Sequence, residues 1–426
     1  MVGDRDSLGD RTMASISSDG LPWDSFAAAA KSRDYASDLT HPLYRYPARM
    51  SPQLARVLIL GLTQPEDLVL DPFSGGGTTA VEALSNGRRV ICCDLNTLAC
   101  FVTRAKAWPV SPQSLRAYKK WTALAASGVL DSRCATLPLL THNGTEYAPR
   151  THGLLMHLRD AALGLNDASA RRLALLTVLR VGQLCFDCRR TPPSPRVLRN
   201  VFEAVAEMVL NRMELYASAC RKHRWPGGLP RSLQVIQGDA QSVAERLLTA
   251  RTERLSLILT SPPYPGVHVL YHRWQVYGRR ETALPYRLLH LNDGFFESHY
   301  TFGSRKQPDE LYLHRVRGVF TSLRHLTAPS TLVAQVIGFS HPERHLPCFR
   351  EVMASAGFDE VIDPDRLDRV IARIVPHRRW YAEISSYQGS NKEFLLIHRP
   401  RRSGAKQRGP ANVCEPCGQA KGARLR

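Results

Sequence analysis

The 426-residue sequence predicts an α/β fold, a Rossmann-like sheet interrupted by a largely helical inserted region. Three observations predict it. Residues 66–96, EDLVLDPFSGGGTTAVEALSNGRRVICCDLN, pass from an apolar strand through a glycine turn and a helix into a second strand, the sequence form of a βαβ unit. Residues 232–400 return to alternating strand and helix patterns. Between them, Leu198, Phe202, Val205, Val209, Met213 and Tyr216 recur at spacings of three and four, the period of a helix with one buried face.

These observations divide the chain. Residues 1–37 are rich in Ser, Asp, Gly and Ala and are expected to be mobile. Residues 38–108 and 232–400 form the two halves of the α/β domain, and residues 109–231 form a helical, basic insertion between them. Within the insertion the Pro-rich TPPSPR at 191–196 separates the long helix from an earlier one over 169–185. Residues 401–426 read as a disordered basic tail. No internal repeat is visible, and no apolar run is long enough to span a bilayer. The first residues lack the basic start and apolar centre of a signal peptide. Ten irregularly spaced cysteines suit a reduced, cytoplasmic protein.

The net charge of +19 is concentrated. Residues 171–231 hold 12 Arg/Lys against 4 Asp/Glu, and residues 399–426 hold 8 against 1. Clustered positive charge is the footprint of a polyanion, most often nucleic acid. Arg189 and Arg190, in the insertion, are candidate phosphate contacts.

Within the first αβ unit, Gly75, Gly76 and Gly77 allow the backbone to approach a ligand closely. Phe73 and Thr78 flank them, and Asp94 ends the second strand 18 positions after Gly76. A carboxylate there is placed to accept both hydroxyls of a ribose. The G-x-G-x-x-G phosphate cradle of a nicotinamide enzyme is not present; an acid, Asp71, opens the loop instead. That arrangement suits a ligand carrying a cationic amino group and no pyrophosphate, and S-adenosylmethionine fits the description.

A second constellation lies at LSLILTSPPY, residues 255–264, where a buried strand stops at Ser261-Pro262-Pro263-Tyr264. This corner resembles the S-P-P-Y signature of S-adenosylmethionine-dependent DNA amino-methyltransferases, and DPFSGGGTT resembles their cofactor motif. The pairing of the two is far more specific than either alone. HPLYRYPARMSP, residues 41–52, resembles the segment that closes over the methionine end of the cofactor, which implies contacts from Tyr46, Pro47 and Arg49. The resemblance also implies a seven-stranded mixed methyltransferase sheet, with Asn96 near the cofactor and Asp239 touching its adenine. A fifth strand at TLVAQVIGFS, a helix at LPCFREVMASAGF and a closing pair at RRWYAEI and EFLLIHRP fit that sheet.

The chemistry accounts for these residue types. An exocyclic amine is a weak nucleophile because its lone pair is delocalised into the ring. Ser261 Oγ and the Pro262 carbonyl can accept its hydrogens and turn the lone pair toward the methyl donor. Two prolines fix φ and remove competing N–H donors, and Tyr264 offers a plane on which a flipped base can stack. Ser at the head of the tetrapeptide leans toward cytosine N4 in the family; Asp or Asn leans toward adenine N6.

The chain departs from the family pattern in one respect: 185 residues separate Gly76 from Ser261, and most of them are the basic insertion. Target recognition is therefore expected in 109–231, in the Arg- and aromatic-rich stretch 265–315, or in both. His268, Arg273, Arg279 and Arg280 are the candidate nucleic-acid contacts of the second stretch. Double-stranded DNA is the expected partner, and a cognate nuclease in a restriction or phage-defence setting is a candidate second one. An RNA methyltransferase and a catalytically silent DNA-binding protein on the same scaffold stay open. CFDC at 185–188 and CEPC at 414–417 lack supporting ligands, so no metal site is expected.

Overall fold

The computed structural model describes residues 20–32, 38–46, 50–131, 149–225, 227–250, 254–264, 273–276, 280–293, 309–339, 341–363, 365, 371–374 and 392–402. Helices α1 (Trp23–Lys31) and α2 (Pro52–Leu62) precede strand β1 (Leu68–Asp71), helix α3 (Thr78–Ser85), strand β2 (Arg89–Asp94) and helix α4 (Thr97–Ala107). Helices α5 (Pro112–Asp131), α6 (Pro149–Leu163), α7 (Ala168–Phe186) and α8 (Pro195–Arg221) follow. The chain then continues through β3 (Leu233–Gln237), α9 (Ala240–Ala250) and β4 (Leu255–Thr260). A hairpin of β5 (Trp274–Val276) and β6 (Arg280–Thr282) leads to α10 (Leu284–Leu289) and α11 (Asp309–Arg324). Strand β7 (Thr327–Gly338), helix α12 (Pro342–Ser355) and strands β8 (Phe358–Glu360), β9 (Ile371–Ile374) and β10 (Lys392–Pro400) complete the order.

Eight strands of the described residues form one sheet in the order β3-β2-β1-β4-β7-β10-β8, with β9 also paired to β10. Strands β3, β2, β1, β4 and β7 run parallel, and β10 lies antiparallel to its neighbours. The expected seven positions are present, but the last is divided. β8 pairs with residues 398–400 of β10 and β9 with residues 392–395, both on the side away from β7. RRWYAEI, expected as a closing strand, lies outside the described residues.

The parallel strands are apolar because helices cover both faces. Val69, Val90, Cys92, Leu257 and Leu259 point into one core with α1 to α8. Leu68, Leu70, Ile91, Cys93 and Ile258 point into the other with α9, α11 and α12. Successive residues alternate between the cores, as the pleat requires. The helical insertion shares the first core. Leu198, Phe202, Val205, Val209, Met213 and Tyr216, the six positions of the helical period, are all buried on α8. Tyr118 on α5 joins α7 and α8 through contacts to Thr177 Oγ1 at 2.7 Å and Ala206 O at 3.2 Å. Tyr216 donates to Ala107 O at 2.8 Å, which docks α8 on the end of α4.

One expectation about the N-terminal stretch needs correcting. Residues 23–31 form helix α1, although composition alone suggested mobility for 1–37. The run FAAAA lowers the cost of a helix, and Phe26 is fully buried against Gly61 of α2, where a Cβ would stand 2.9 Å from its ring. Residues 1–19 and 403–426 lie outside the described residues.

Strand order reverses between β1 and β4, the topological switch point at which open α/β sheets bind ligands. Asp71 ends β1, Asp94 ends β2, Ser261 follows β4 and Gly338 ends β7. All are at carboxyl ends. Among the described residues no helix is long and apolar enough to cross a membrane.

Candidate active site

The glycine loop is held from both sides. Gly77 has φ +74° and caps α3, a conformation that costs little only without a side chain. A Cβ at Gly77 would lie 2.9 Å from Thr103 Cα, and one at Gly76 would lie 2.7 Å from Tyr46 Cβ. The loop is therefore clasped between α4 and the segment bearing Tyr46. On the α4 side, Thr103 donates to Gly75 O at 3.2 Å, and the buried Lys106 donates to Gly76 O at 2.6 Å. With these carbonyls turned toward α4, the loop is fixed in one orientation.

Both predicted carboxylates reach this loop. Asp71 Oδ1 accepts from Thr260 Oγ1 at 2.8 Å and from the Phe73 N–H at 3.1 Å, and Thr79 donates to the same carboxylate. Asp94 accepts from the Gly75 N–H at 2.8 Å and the Asn96 N–H at 2.9 Å. Burial pushes each carboxyl up to about 6, against the opposing pull of these donors. Such a site favours a cationic or hydroxyl-donating ligand that takes the place of water.

Other predicted residues have partners within the chain. The Asn96 side chain accepts from the Ala99 N–H as the cap of α4 and donates to Tyr286 OH at 2.7 Å. Both its polar atoms serve the framework. Asp239 caps α9 by accepting from the Gln241 N–H at 2.9 Å. Phe73 and Thr78 are buried in the loop. Arg273, a candidate nucleic-acid contact, forms an ion pair with Asp293, both half-buried. Arg189 and Arg190 are exposed just beyond α7. Arg280 lies in β6, beside that helix end. Pro47, Arg49, His268 and Arg279 lie outside the described residues.

The Ser261–Tyr264 corner follows β4 directly. Ser261 Oγ donates to Val336 O at 2.8 Å and lies 3.2 Å from Tyr264 OH. Tyr264 OH donates to Glu393 Oε1 at 3.0 Å, and its ring lies over Gly338, where a Cβ would stand 3.0 Å from Cε2. Pro262 is buried. Thr260, the residue before Ser261, is the one bonded to Asp71. That hydroxyl joins the strand leading into the corner to the head of the glycine loop.

Sequence reasoning missed several supports. Glu82 on α3 is fully buried and takes His41 Nε2 at 2.7 Å and Arg56 Nε at 2.8 Å. Burial raises its carboxyl, but His41 and Arg56 together hold it below the usual range. This triad pins the segment leading to Tyr46 onto the helix that starts at the glycine loop. The signal for Lys106 was legible: it falls on the stripe Ala99, Val102, Thr103 and Lys106, the buried face of α4. Glu393 carried no such mark, because its role depends on a strand pairing distant in sequence.

Among known families, residues 22–103 match the N6/N4 methylase family, described as DNA methylase. Over that stretch, under a fifth of its length, the chain is similar to DNA methylases. The match spans α1, the segment to Tyr46, the glycine loop, Asp71 and Asp94. The chain is 45% identical over 82 residues to the type II methyltransferase M.MvaI of Kocuria varians. That alignment covers 18% of each chain, so this chain spans under a fifth of that relative's length. Among solved structures, TrmN of Thermus thermophilus aligns over 84% of this chain and 52% of its own, at 13% identity and TM-score 0.33. The rRNA methyltransferase aviRa of Streptomyces viridochromogenes aligns over 72% and 84%, at 12% identity and TM-score 0.30. Overlap this low decides nothing about function.

The residues present fit S-adenosylmethionine. The glycine loop is held in one orientation at the switch point, and two raised carboxylates lie beside it to meet an amino group and ribose hydroxyls. Among the described residues no group of three or more His, Cys, Asp or Glu is placed to hold a metal ion.

Proposed function

We infer that the chain methylates the exocyclic N4 amine of cytosine in double-stranded DNA, on a base turned out of the helix. The observation that supports this reading is the Thr260–Asp71 bond at 2.8 Å, which joins the strand leading into Ser261–Tyr264 to the head of the glycine loop at the switch point. S-adenosylmethionine supplies a methyl group already activated on a sulfonium sulfur. Asp71 would hold its amino group and Asp94 its ribose, and Asp239 would face its adenine. Catalysis by the chain is then positioning and electrostatics.

Ser261 gives its proton to Val336 O, so its oxygen lone pairs are available to hydrogens of the target amine. The Pro262 carbonyl adds a second acceptor, and neither proline contributes an N–H. Tyr264 is anchored at its hydroxyl by Glu393 and backed by Gly338, which fixes the plane for the base. Arg189, Arg190 and Arg280, with the basic insertion 109–231, would follow the phosphates. A type II setting with a partner nuclease accords with the type II class of the Kocuria varians relative.

Incubation of unmethylated DNA with labelled S-adenosylmethionine, digestion to nucleosides and mass identification test this reading. N4-methylcytosine is expected. N6-methyladenine would change the base while keeping the mechanism. Label only in RNA, or no transfer despite cofactor binding, would overturn it.

A further inference from the structure

The carboxyl end of α7 holds two segments, one that leads to Tyr46 beside the glycine loop and one that forms the hairpin β5–β6. Gln183 grips the main chain of Arg45: its Oε1 accepts from the Arg45 N–H at 3.1 Å, and its Nε2 donates to the Arg45 carbonyl at 2.8 Å. Arg180 donates to the same Oε1 at 2.6 Å and fixes the amide's orientation. The next residue after Arg45 is Tyr46, which covers Gly76. Four residues beyond Gln183, the grip is repeated on the hairpin β5–β6. Asp187 Oδ1 accepts from the Gln275 N–H at 3.0 Å, and the Cys188 N–H donates to the Gln275 carbonyl at 2.6 Å. That hairpin is the next described part of the chain after the Ser261–Tyr264 corner.

The two gripped segments also touch each other. Trp274 Nε1 donates to Tyr44 OH at 3.3 Å, and both side chains are almost fully buried. The Trp274 ring lies on Gly182, where a Cβ would stand 2.5 Å from it, so α7 admits the ring only because residue 182 has no side chain. Arg189 and Arg190 emerge exposed immediately after this clamp, and Arg189 forms a parallel bridge with Val276 of β5. One helix end therefore carries the segment leading to Tyr46, the hairpin β5–β6 and two exposed cations.

We propose that this helix end couples the two ligands, with Gln183 and Asp187 as positioning residues, so that DNA and cofactor each tighten the binding of the other. The proposal rests on the methylation reading, because it requires both ligands. Its physical basis is ordering at a shared element. A phosphate held by Arg189 or Arg190 would order the end of α7, and the grips on Arg45 and Gln275 would pass that order to Tyr46 and to the hairpin. Reciprocity then follows from linkage: whatever factor DNA contributes to cofactor affinity, the cofactor contributes to DNA affinity.

The test is calorimetry of S-adenosylhomocysteine, chosen because no turnover occurs, on the full chain alone and with sheared unmethylated DNA of mixed sequence. The unaltered chain should bind S-adenosylhomocysteine at least about fivefold more tightly with DNA present. Gln183→Ala should bring that ratio close to one, and Gln183→Glu, which can accept from the Arg45 N–H but cannot donate to its carbonyl, should give an intermediate ratio. Tyr44→Phe removes only the acceptor of Trp274 and is the second variant should Gln183→Ala fail to fold; it too should reduce the ratio. A merely structural role would lower both affinities and leave the ratio unchanged, and that result overturns the proposal. So does a ratio of one in an unaltered chain that binds each ligand, which would leave the methylation reading intact. Failure to bind either ligand removes both.

Discussion

Gly338 shows how much of the active site depends on a single missing side chain. It ends β7, and a Cβ there would stand 3.0 and 3.2 Å from Tyr264 Cε2 and Cδ2 and 3.3 Å from Lys392 O. The backbone oxygen cannot yield cheaply, so the ring must tilt. Gly338→Ala is therefore expected to slow methyl transfer by roughly tenfold, as part of the ~1–3 kcal/mol of base stacking disappears, while cofactor affinity is unchanged. Single-turnover rates and calorimetry on the same preparation separate the two effects. Loss of cofactor affinity with an unaltered rate would show that Tyr264 does not carry the base. At this scale the sequence offered the candidate residues but not their supports. Ser261, Tyr264, Asp71 and Asp94 stand out because their motifs are contiguous. Glu393 and Gln183 do not, because their partners lie 129 and 138 positions away.

Among the elements, α7 is the one whose role differs most from its appearance in sequence. The sequence marks it only as a helix over 169–185, but its end also holds both the segment leading to Tyr46 and the hairpin β5–β6. Periodicity reports which face is covered; it contains nothing about which peptide groups a polar residue will meet. Helix α1 is the converse case, since a composition suited to mobility conceals an alanine helix anchored by one phenylalanine. The exposed Arg189 and Arg190 give the element-scale prediction. Replacing both by Gln should weaken DNA binding and flatten its dependence on salt, by roughly 0.9 in log–log slope for each phosphate no longer neutralised. Fluorescence anisotropy across a salt series measures it. An unchanged slope would move the phosphate path away from α7.

At the scale of the whole molecule, two raised carboxyls make ligand binding and stability respond oppositely to pH. Asp71 and Asp94 titrate near 6 when folded and near 3.8 when unfolded. Between those values the folded chain holds more protons, so their contribution to stability falls as pH rises from about 4 to about 6 and is then constant. Cofactor binding needs the ionised forms and should weaken below about pH 6, by about tenfold per pH unit for each carboxylate required. Calorimetry from pH 5 to 8 is the measurement, with Asp94→Asn expected to shorten the acid limb. Flat affinity across that range would remove both residues from the cofactor site. The sheet order was legible because the strands are apolar and the loops between them carry recognisable motifs. The division of the outer position between β8 and β9 was not, since each of those strands is only three or four residues long. The long insertion has a further consequence during synthesis. β1 pairs with β2 nearby in sequence, but its other neighbour is β4, and β2's other neighbour is β3. Both arrive only after α5 to α8 have left the ribosome. At ~5–20 residues per second, a two-stranded parallel ribbon with both edges unpaired waits roughly 10–30 s for its partners. Unpaired edges invite pairing with other chains, and the helices that emerge during the delay are those that cover one face of that ribbon.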